Sequence, residues 1–289
     1  MIYNNNWILR PYRNRITSKI MREIIHRINS EEFFVNYMKK QINPFDKATY
    51  ILTFDFDFES DIDAFPSLLD TLKKYNVKAG FAVIGKFVEK YPDIHKRAVE
   101  EGHEIINHTY THPNNPHWAP KRYFNKLSYQ EQKDEIYKAH EVFYNILGID
   151  CIGFRTPHYG QLHTQSVYDI LNELNYKYSS STTAYGADGF GAPYIHKHNI
   201  TEIPTGCSKH FPFAIFDSWS MLRMKKPLLG DDKLFINEFE ETMTIVKENN
   251  LFLSHYFDPY DIIENGKIEA LLESIKYHEI DTKLYKDLF

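Results

Sequence analysis

The sequence is poor in cysteine and has no long hydrophobic run. Only Cys151 and Cys207 occur among 289 residues, and neither belongs to a C-x-x-C pair, which excludes a disulfide framework and a cysteine-ligated zinc site. No run of about 18 apolar residues is present, so no transmembrane helix is predicted. Residues 1–30 also lack the continuous apolar segment of a secretory signal. We therefore expect a cytoplasmic protein with reduced thiols.

Charge is spread unevenly along the chain. The formal net charge is -5, which argues against a general nucleic-acid-binding protein. Residues 10–27 nevertheless carry six Lys and Arg side chains against one Glu. Apolar residues recur at helical spacing from Ile16 to Tyr37, which predicts a basic amphipathic helix. It packs on the outside of the main fold, the alternative that we favour, or it binds a membrane surface as a peripheral anchor.

Strand-like and helix-like segments alternate through the rest of the chain. The strand-like "TYILTFDFD" precedes the helical pattern "DAFPSLLDTLKKYN", and "VKAGFAVIG" follows. Ser128 and Glu131 form a capping box that predicts the start of a later helix. Repeated βα units predict an α/β fold with a parallel sheet, open or closed into a barrel. We divide the chain into an N-terminal helical extension, residues 1–47, and a main domain, residues 48–289.

The stretch "ILTFDFDFES", residues 51–60, places carboxylates at every second position of an apolar segment. Side chains alternate between the two faces of a strand, so Asp55, Asp57 and Glu59 would share one face. Like charges repel when crowded together. That face therefore looks onto water or meets a positive group, such as a metal ion.

Polar residues recur at the predicted strand ends, where a βα barrel gathers its chemistry. "NHTYTHP" contains His108 and His112, "GFRTPHYG" contains Arg155, and "LFLSH" ends at His255. One helical turn would place His108 and His112 on the same side, as two ligands of one metal require. Two His, one Asp and an open position are typical of a catalytic zinc site.

These motifs, in this order, resemble those of the polysaccharide deacetylases, the NodB-homology or carbohydrate esterase family 4 enzymes. "TFDFDFES" is similar to the first motif in its F-D-x-D form, found in the peptidoglycan-deacetylase-like and allantoinase-like branch. "HEIINHTYTHP" resembles the second motif, "FRTPHYG" the third and "LFLSH" the fifth. The resemblance begins at about residue 49 and implies a distorted (β/α) barrel with fewer than eight strands.

The resemblance also implies roles for individual residues. Asp57, His108 and His112 would bind a divalent metal ion, usually zinc. Asp55 would be the general base, and Arg155 would hold it. A bound cation and its water would then explain why the carboxylates of the first motif share one face.

Further roles follow for the remaining motifs. His255 would be the general acid that protonates the departing amine. The fourth motif, which supplies an Asp that orients this His and a Trp that lines the groove, has its best candidate in "FDSWS", with Asp217 and Trp219. Tyr159 stands where the commoner third motif has Gly, and His158 adjoins the site. We expect Tyr159, Trp219 and His158 to contact the substrate.

The predicted function is the hydrolysis of an N-acetyl group on an amino sugar by a metal-dependent enzyme. A cytoplasmic enzyme would act on a nucleotide- or lipid-linked sugar during surface-polysaccharide assembly, and the basic helix would suit a lipid-linked one. Two alternatives stay open: an allantoinase-like hydrolase that opens a cyclic ureide, and an inactive relative that only binds carbohydrate. The sequence gives no indication of the oligomeric state.

Overall fold

The N-terminal region is described only in part. The structure, a computed structural model, describes Ile20, Ile24, residues 29–159 and residues 163–289. Most of the basic segment of the predicted helix therefore lies outside the described residues. Its last part is helix α1, Ser30–Met38, which begins after Asn29. The membrane-surface alternative and the domain boundary at residue 47 stay predictions.

Helix α1 packs on the main domain through aromatic side chains. The Tyr37 ring lies 4.5 Å from the Tyr185 ring, and the Tyr37 hydroxyl donates a hydrogen bond of 2.8 Å to the Ala184 carbonyl. The Lys209 ammonium, which is almost fully buried, lies 2.8 Å from a carboxylate oxygen of Glu31 on α1. This part of the predicted helix thus lies against the domain.

Strands and helices alternate along the main domain. The strands are β1 Thr49–Phe56, β2 Gly80–Val83, β3 Glu104–Asn107, β4 Gly153–Phe154, β5 Tyr178–Ser179, β6 Tyr194–Ile195, β7 Thr201–Glu202, β8 Phe252–Phe257 and β9 Asp281–Thr282. The helices are α2 Glu59–Tyr75, α3 Gly85–Lys90, α4 Pro92–Glu100, α5 Tyr129–Val142, α6 Ser166–Glu173, α7 Asp232–Glu248, α8 Pro259–Ile263 and α9 Lys267–Tyr277. None of these described helices is long and apolar enough to cross a membrane.

The sheet is a curled, incompletely closed barrel. Its strand order is β6-β7-β5-β4-β3-β2-β1-β8, and β9 pairs with the start of β1. Neighbours on this path are parallel, except β6 with β7. The chain beyond β7 reaches β8 through a hydrogen bond of 2.6 Å from Gly206 N to the Ser254 carbonyl. The predicted distorted (β/α) barrel is confirmed, with seven parallel strands on the path and the two-residue strands β6 and β9 added to them.

The sequence of β1 explains how it lies between two apolar layers. All eight residues are buried. Leu52, Phe54 and Phe56 belong to the large core between the sheet and the helices, whereas Ile51 belongs to the smaller core inside the barrel. Because side chains alternate, Asp55 takes the inner face with Ile51.

The starts of helices α2 and α5 are set by the local sequence. The strand ends at Phe56, and Glu59 is the first residue of α2. The Glu59 carboxylate is exposed and lies 2.5 Å from the Lys90 ammonium, so it leaves the face that Asp55 occupies. The capping box predicted from Ser128 and Glu131 is confirmed at the start of α5.

His95 on α4 makes the stability of the fold sensitive to acid. The ring is fully buried against Phe65, and burial lowers its pKa to about 4. Below pH ~6.5 the unfolded chain binds a proton that the folded chain does not, so this contribution to stability is present above that pH and is lost as the pH falls toward 4. We expect it to make the free energy of unfolding about 2 kcal/mol lower at pH 5 than at pH 7.

Urea unfolding of the wild type and His95→Gln at both pH values checks this prediction. The variant is expected to lose less stability between pH 7 and pH 5 than the wild type does. An equal loss in both proteins would show that His95 does not carry the effect.

Candidate active site

A cleft of about 300 Å³ opens at the carboxyl ends of the strands. Its lining residues are Asp55, Asp57, Phe58, His108, His158, Tyr159, Ile215, Asp217, Trp219, Ser220, Tyr256 and Asp258. Seven of the ten site residues named from the sequence, Asp217 among them, are in this set. Of the other three, His112 contacts Asp57 and Arg155 contacts Asp55, both of which line the cleft. His255 lies on the opposite face of strand β8.

Asp57, His108 and His112 converge on one point of the cleft. One possible ligand atom from each lies within 4.8 Å of the other two. The Nε2 atoms of both imidazoles are 3.2 Å from Oδ1 of Asp57. Both rings are almost fully buried, and within the described part of the chain Nδ1 of His112 has no hydrogen-bond partner, while its Nε2 faces the Asp57 carboxylate. A buried polar group is costly without a partner, and a cation between the three side chains would supply one.

A loop with left-handed residues brings the two imidazoles together, not the helical turn that the spacing suggested. Strand β3 ends at Asn107, and Thr109 and His112 have φ values of +68° and +52°. Side chains hold this backbone: Asn107 Oδ1 accepts from Thr109 N at 2.9 Å, and Thr109 Oγ1 accepts from His112 N at 3.1 Å. Strained backbone of this kind persists where surrounding contacts fix it.

One imidazole is kept neutral by burial, whereas in His108 the carboxylates of Asp57 and Asp55 outweigh burial and raise the pKa, and a bound cation would displace that proton. His108 Nδ1 lies 2.9 Å from the Arg155 carbonyl, to which it can donate, leaving Nε2 to face Asp57 as a lone pair. Burial lowers the pKa of His112 to about 3 and so keeps it neutral. Burial opposes ionisation of Asp57, but His112 and His108 outweigh that effect and lower its pKa. Two imidazoles and one carboxylate are a donor set for zinc or a similar ion.

Asp55 lies beside this group and is held by Arg155. The fully buried guanidinium donates from Nη1 to Asp55 Oδ1 at 2.5 Å and to Thr53 Oγ1 at 2.9 Å. Oδ2 of Asp55 is 3.9 Å from His108 Nε2. Burial raises the pKa of Asp55, and the charges of Arg155 and His108 oppose that rise. The arrangement fits a carboxylate that is oriented by one neighbour and exposed to a reactant on the other side.

Tyr285, close to the end of the chain, completes the support of Arg155. Its hydroxyl accepts a hydrogen bond of 3.0 Å from Arg155 Nη2 and lies 2.5 Å from Ser254 Oγ. We expect Tyr285→Phe to lower the free energy of unfolding by about 1.5–3 kcal/mol, the range for hydrogen bonds to charged groups. Urea unfolding measures this change. Tyr277→Phe, which alters a largely exposed ring on α9, is the matched control, and equal stability of the two variants would contradict the prediction.

His255 does not reach the cleft, so the sequence-based assignment of this residue as the general acid needs correction. Strand β8 places Tyr256 in the cleft and turns His255 to the opposite face. There its Nδ1 lies 3.3 Å from the Tyr50 hydroxyl and its ring 5.2 Å from the Phe216 ring. Burial lowers its pKa to about 3. In "LFLSH" the period of two puts His255 on the same face as Leu253, which packs in the outer core.

The predicted substrate contacts form part of the cleft wall. His158 lies with its ring 4.7 Å from the His112 ring. The Tyr159 ring stacks on Tyr256 at 5.0 Å, with 17° between the planes. Trp219 is 45% exposed and stacks at 6.4 Å on Phe58. Flat aromatic faces at the rim are suited to stacking on apolar faces of a ligand.

Comparison with known families agrees with this geometry. Residues 42–179 match the family model described as polysaccharide deacetylase. Residues 42–179 are a region of the polysaccharide deacetylase family. The matched range includes strand β1 with Asp55, the following Asp57, the loop with both imidazoles, and Arg155.

Curated relatives of this chain include two peptidoglycan deacetylases. The peptidoglycan-N-acetylglucosamine deacetylase of Bacillus cereus is 39% identical over 119 residues, which are 41% of this chain and 39% of that protein. The peptidoglycan-N-acetylmuramic acid deacetylase of Bacillus subtilis is 35% identical over 102 residues, or 35% of each chain. The matches thus span well under half the length of these relatives.

Solved structures share the fold of the chain over most of its length. An allantoinase aligns with a TM-score of 0.68 at 11% identity, covering 88% of this chain and 94% of that one. A polysaccharide deacetylase of Bacillus cereus aligns with a TM-score of 0.53 at 18% identity, covering 82% and 91%. At these identities the likeness concerns the fold alone.

Three further residues belong to the site but were not predicted from the sequence. Tyr256 and Asp258 line the cleft, and both follow from strand alternation once the inner face of β8 is known. Tyr285 contacts Arg155 across 130 positions of sequence, and no local pattern marks it.

Proposed function

We propose that this domain is a metal-dependent hydrolase that removes an N-acetyl group from an amino sugar, with zinc as the expected ion. The observation that carries the proposal is the placement of two functional units in one cleft. Asp57, His108 and His112 offer three ligands to one cation, and the Asp55–Arg155 pair lies beside them. A three-ligand site leaves coordination positions for water and substrate, as in catalytic zinc sites.

The chemistry divides between the ion and the protein. A bound divalent ion would polarise the amide carbonyl and lower the pKa of a bound water. Asp55 would accept the proton of the attacking water, and Arg155 would keep the Asp55 carboxylate in position. Trp219 and Tyr159 would stack on sugar rings at the rim of the cleft.

The amino sugar could be carried by three kinds of molecule. The polymer itself, a nucleotide-linked sugar and a lipid-linked sugar in surface-polysaccharide assembly all present an N-acetyl group to the cleft. A lipid-linked substrate would suit a membrane contact by the basic segment at residues 10–27. Such a contact should make partitioning onto anionic vesicles depend on salt. The cytoplasmic location stays a prediction.

The two alternatives named from the sequence are not favoured. The two Bacillus relatives that share sequence with this chain are named for deacetylation, whereas the allantoinase shares only the fold. A binding protein without activity would not need a buried carboxylate paired with Arg155 next to three metal ligands.

Acetate release from a substrate panel tests the proposal. The full chain, loaded with zinc, is incubated with N-acetylglucosamine pentamer, peptidoglycan, UDP-N-acetylglucosamine, a polyprenyl-linked N-acetyl sugar and allantoin. We expect acetate and free amine in equal amounts from at least one acetylated sugar, with no opening of allantoin. Ring opening of allantoin without acetate release from any sugar would contradict the proposal.

A further inference from the structure

The cleft needs an acid, and His255, the residue assigned to that role from the sequence, does not supply it. If the proposed function holds, the nitrogen of the broken amide must gain a proton before it leaves, because an amide anion is a poor leaving group. His255, the residue expected for this step, is buried on the far face of β8 and does not line the cleft. Another group that lines the cleft must therefore donate the proton.

Two carboxyl groups line the cleft in addition to Asp55 and Asp57. One of them, Asp258, is bound as an ion pair: Arg223 Nη2 lies 2.7 Å from its Oδ2, and Ser218 Oγ lies 3.3 Å from the same oxygen. Burial and the charges of Asp61 and Asp57 raise the pKa of Asp258, although Arg223 opposes that rise. Oδ2 of Asp258 is already engaged by the hydrogen bonds from Arg223 and Ser218, so this carboxyl group is less free than Asp217 to give a proton to a reactant. The other, Asp217, forms no ion pair with a basic side chain among the described residues.

Asp217 is directed into the cleft by its own short extended segment. Ile215 and Asp217 line the cleft, and Phe216 between them points outward, with its ring 5.2 Å from His255 and 4.8 Å from Phe235. Asp217 is 1% exposed. Its Oδ1 accepts a hydrogen bond of 2.5 Å from Ser220 N, which fixes the carboxyl group.

The surroundings of Asp217 favour its protonated form. Burial raises its pKa to about 7, the charges of Asp55 and Asp261 add to the rise, and hydrogen bonds from Ser220 oppose it. Tyr256 and Cys207 also interact with its charge. A carboxylic acid that is partly protonated near neutral pH can both donate a proton and regain it.

We propose that Asp217 is the general acid of the reaction, a catalytic residue that donates its carboxyl proton to the amide nitrogen. Asp55 takes a proton from water as the oxygen of that water bonds to the carbonyl carbon. The carbon–nitrogen bond then breaks, and the nitrogen leaves as an amine with the proton of Asp217. The other product is acetic acid, which ionises. Asp55 then releases its proton to solvent, and Asp217 takes one from solvent, which restores both groups.

The test compares an amide with an ester whose leaving group needs no proton. The zinc-loaded full chain and its Asp217→Asn variant are assayed on N-acetylglucosamine pentamer and on 4-nitrophenyl acetate, which releases a stable phenolate. We expect kcat for the amide to fall about a hundredfold in the variant and kcat for the ester to change less than about threefold. In the wild type, kcat for the amide should fall at alkaline pH as Asp217 loses its proton. This fall should be absent in Asp217→Asn, and Asp217→Glu should partly restore both kcat and its fall at alkaline pH.

His255→Gln and His158→Gln complete the design. Each should keep the alkaline decline, and urea unfolding reports whether each variant is folded. Equal losses on amide and ester in folded Asp217→Asn would show a merely structural role and overturn the inference. Loss of the alkaline decline in His255→Gln or His158→Gln, with Asp217→Asn unaffected, would assign the acid to that histidine. If the wild type releases no acetate from any acetylated sugar, the proposed function itself fails, whatever the variants do.

Discussion

Replacing His108 or His112 with Ala is expected to lower kcat/KM for acetate release by about a thousandfold or more. A metal ion that polarises a carbonyl contributes several kcal/mol to transition-state stabilisation, and each 1.36 kcal/mol is a factor of ten in rate. Either substitution leaves only two of the three converging ligand atoms. Steady-state assays of acetate release on the panel substrate that the wild type prefers measure the loss.

His117→Ala is the matched control for these variants. His117 lies on the same loop as His112, is exposed and is not among the residues that line the cleft. Its removal should change kcat/KM less than about threefold, since substitutions on exposed surface usually have small effects. Near-equal activity of His112→Ala and His117→Ala would contradict the assignment of His112 as a ligand.

Replacing Asp55 with Asn is expected to lower kcat by about 10²–10⁴-fold, the usual contribution of a general base. The amide oxygen of Asn can still accept the hydrogen bond that Arg155 donates to Asp55 at 2.5 Å, so the fold should be kept. Bound metal should be kept as well, because Asp55 is not one of the three converging ligands. The variant therefore separates proton transfer from metal binding.

The dependence of kcat on pH gives a second measure of this variant. The wild-type rate should rise with pH as the base ionises, and this rise should be absent in Asp55→Asn. Glu59→Gln, which changes the third carboxylate of the same stretch, is the control, because the Glu59 side chain is exposed and paired with Lys90. A normal pH profile in Asp55→Asn would rule out its role as the base.

Local patterns predicted the fold and the proximity of most of the candidate site residues. The alternation of apolar and acidic residues in β1 placed Asp55 on the inner face, because strand periodicity is a property of the backbone. The capping box at Ser128 and Glu131 predicted where α5 begins, because both partners lie within one turn. Side chains at the ends of parallel strands meet at one edge of the sheet, which explains why Asp57 and His108 were grouped correctly.

Features that depend on the whole fold escaped prediction. The role of His255 came from the resemblance of "LFLSH" to the family's fifth motif, but which face of β8 is the inner one depends on packing of Leu253 against the outer core. The spacing of His108 and His112 suggested a helical turn. Instead, the side chains of Asn107 and Thr109 accept hydrogen bonds from Thr109 N and His112 N and stabilise a loop with left-handed residues. The contact of Tyr285 with Arg155 joins distant parts of the chain.

The metal content of the purified protein distinguishes a metal-dependent hydrolase from a relative that only binds carbohydrate. The full chain is purified without a metal-affinity tag, and elemental mass spectrometry measures metal per chain in the wild type, His108→Ala and His112→Ala. We expect about one divalent ion per wild-type chain and almost none in either folded variant. A wild type that binds no metal even after incubation with zinc would contradict it and would favour a relative that only binds carbohydrate.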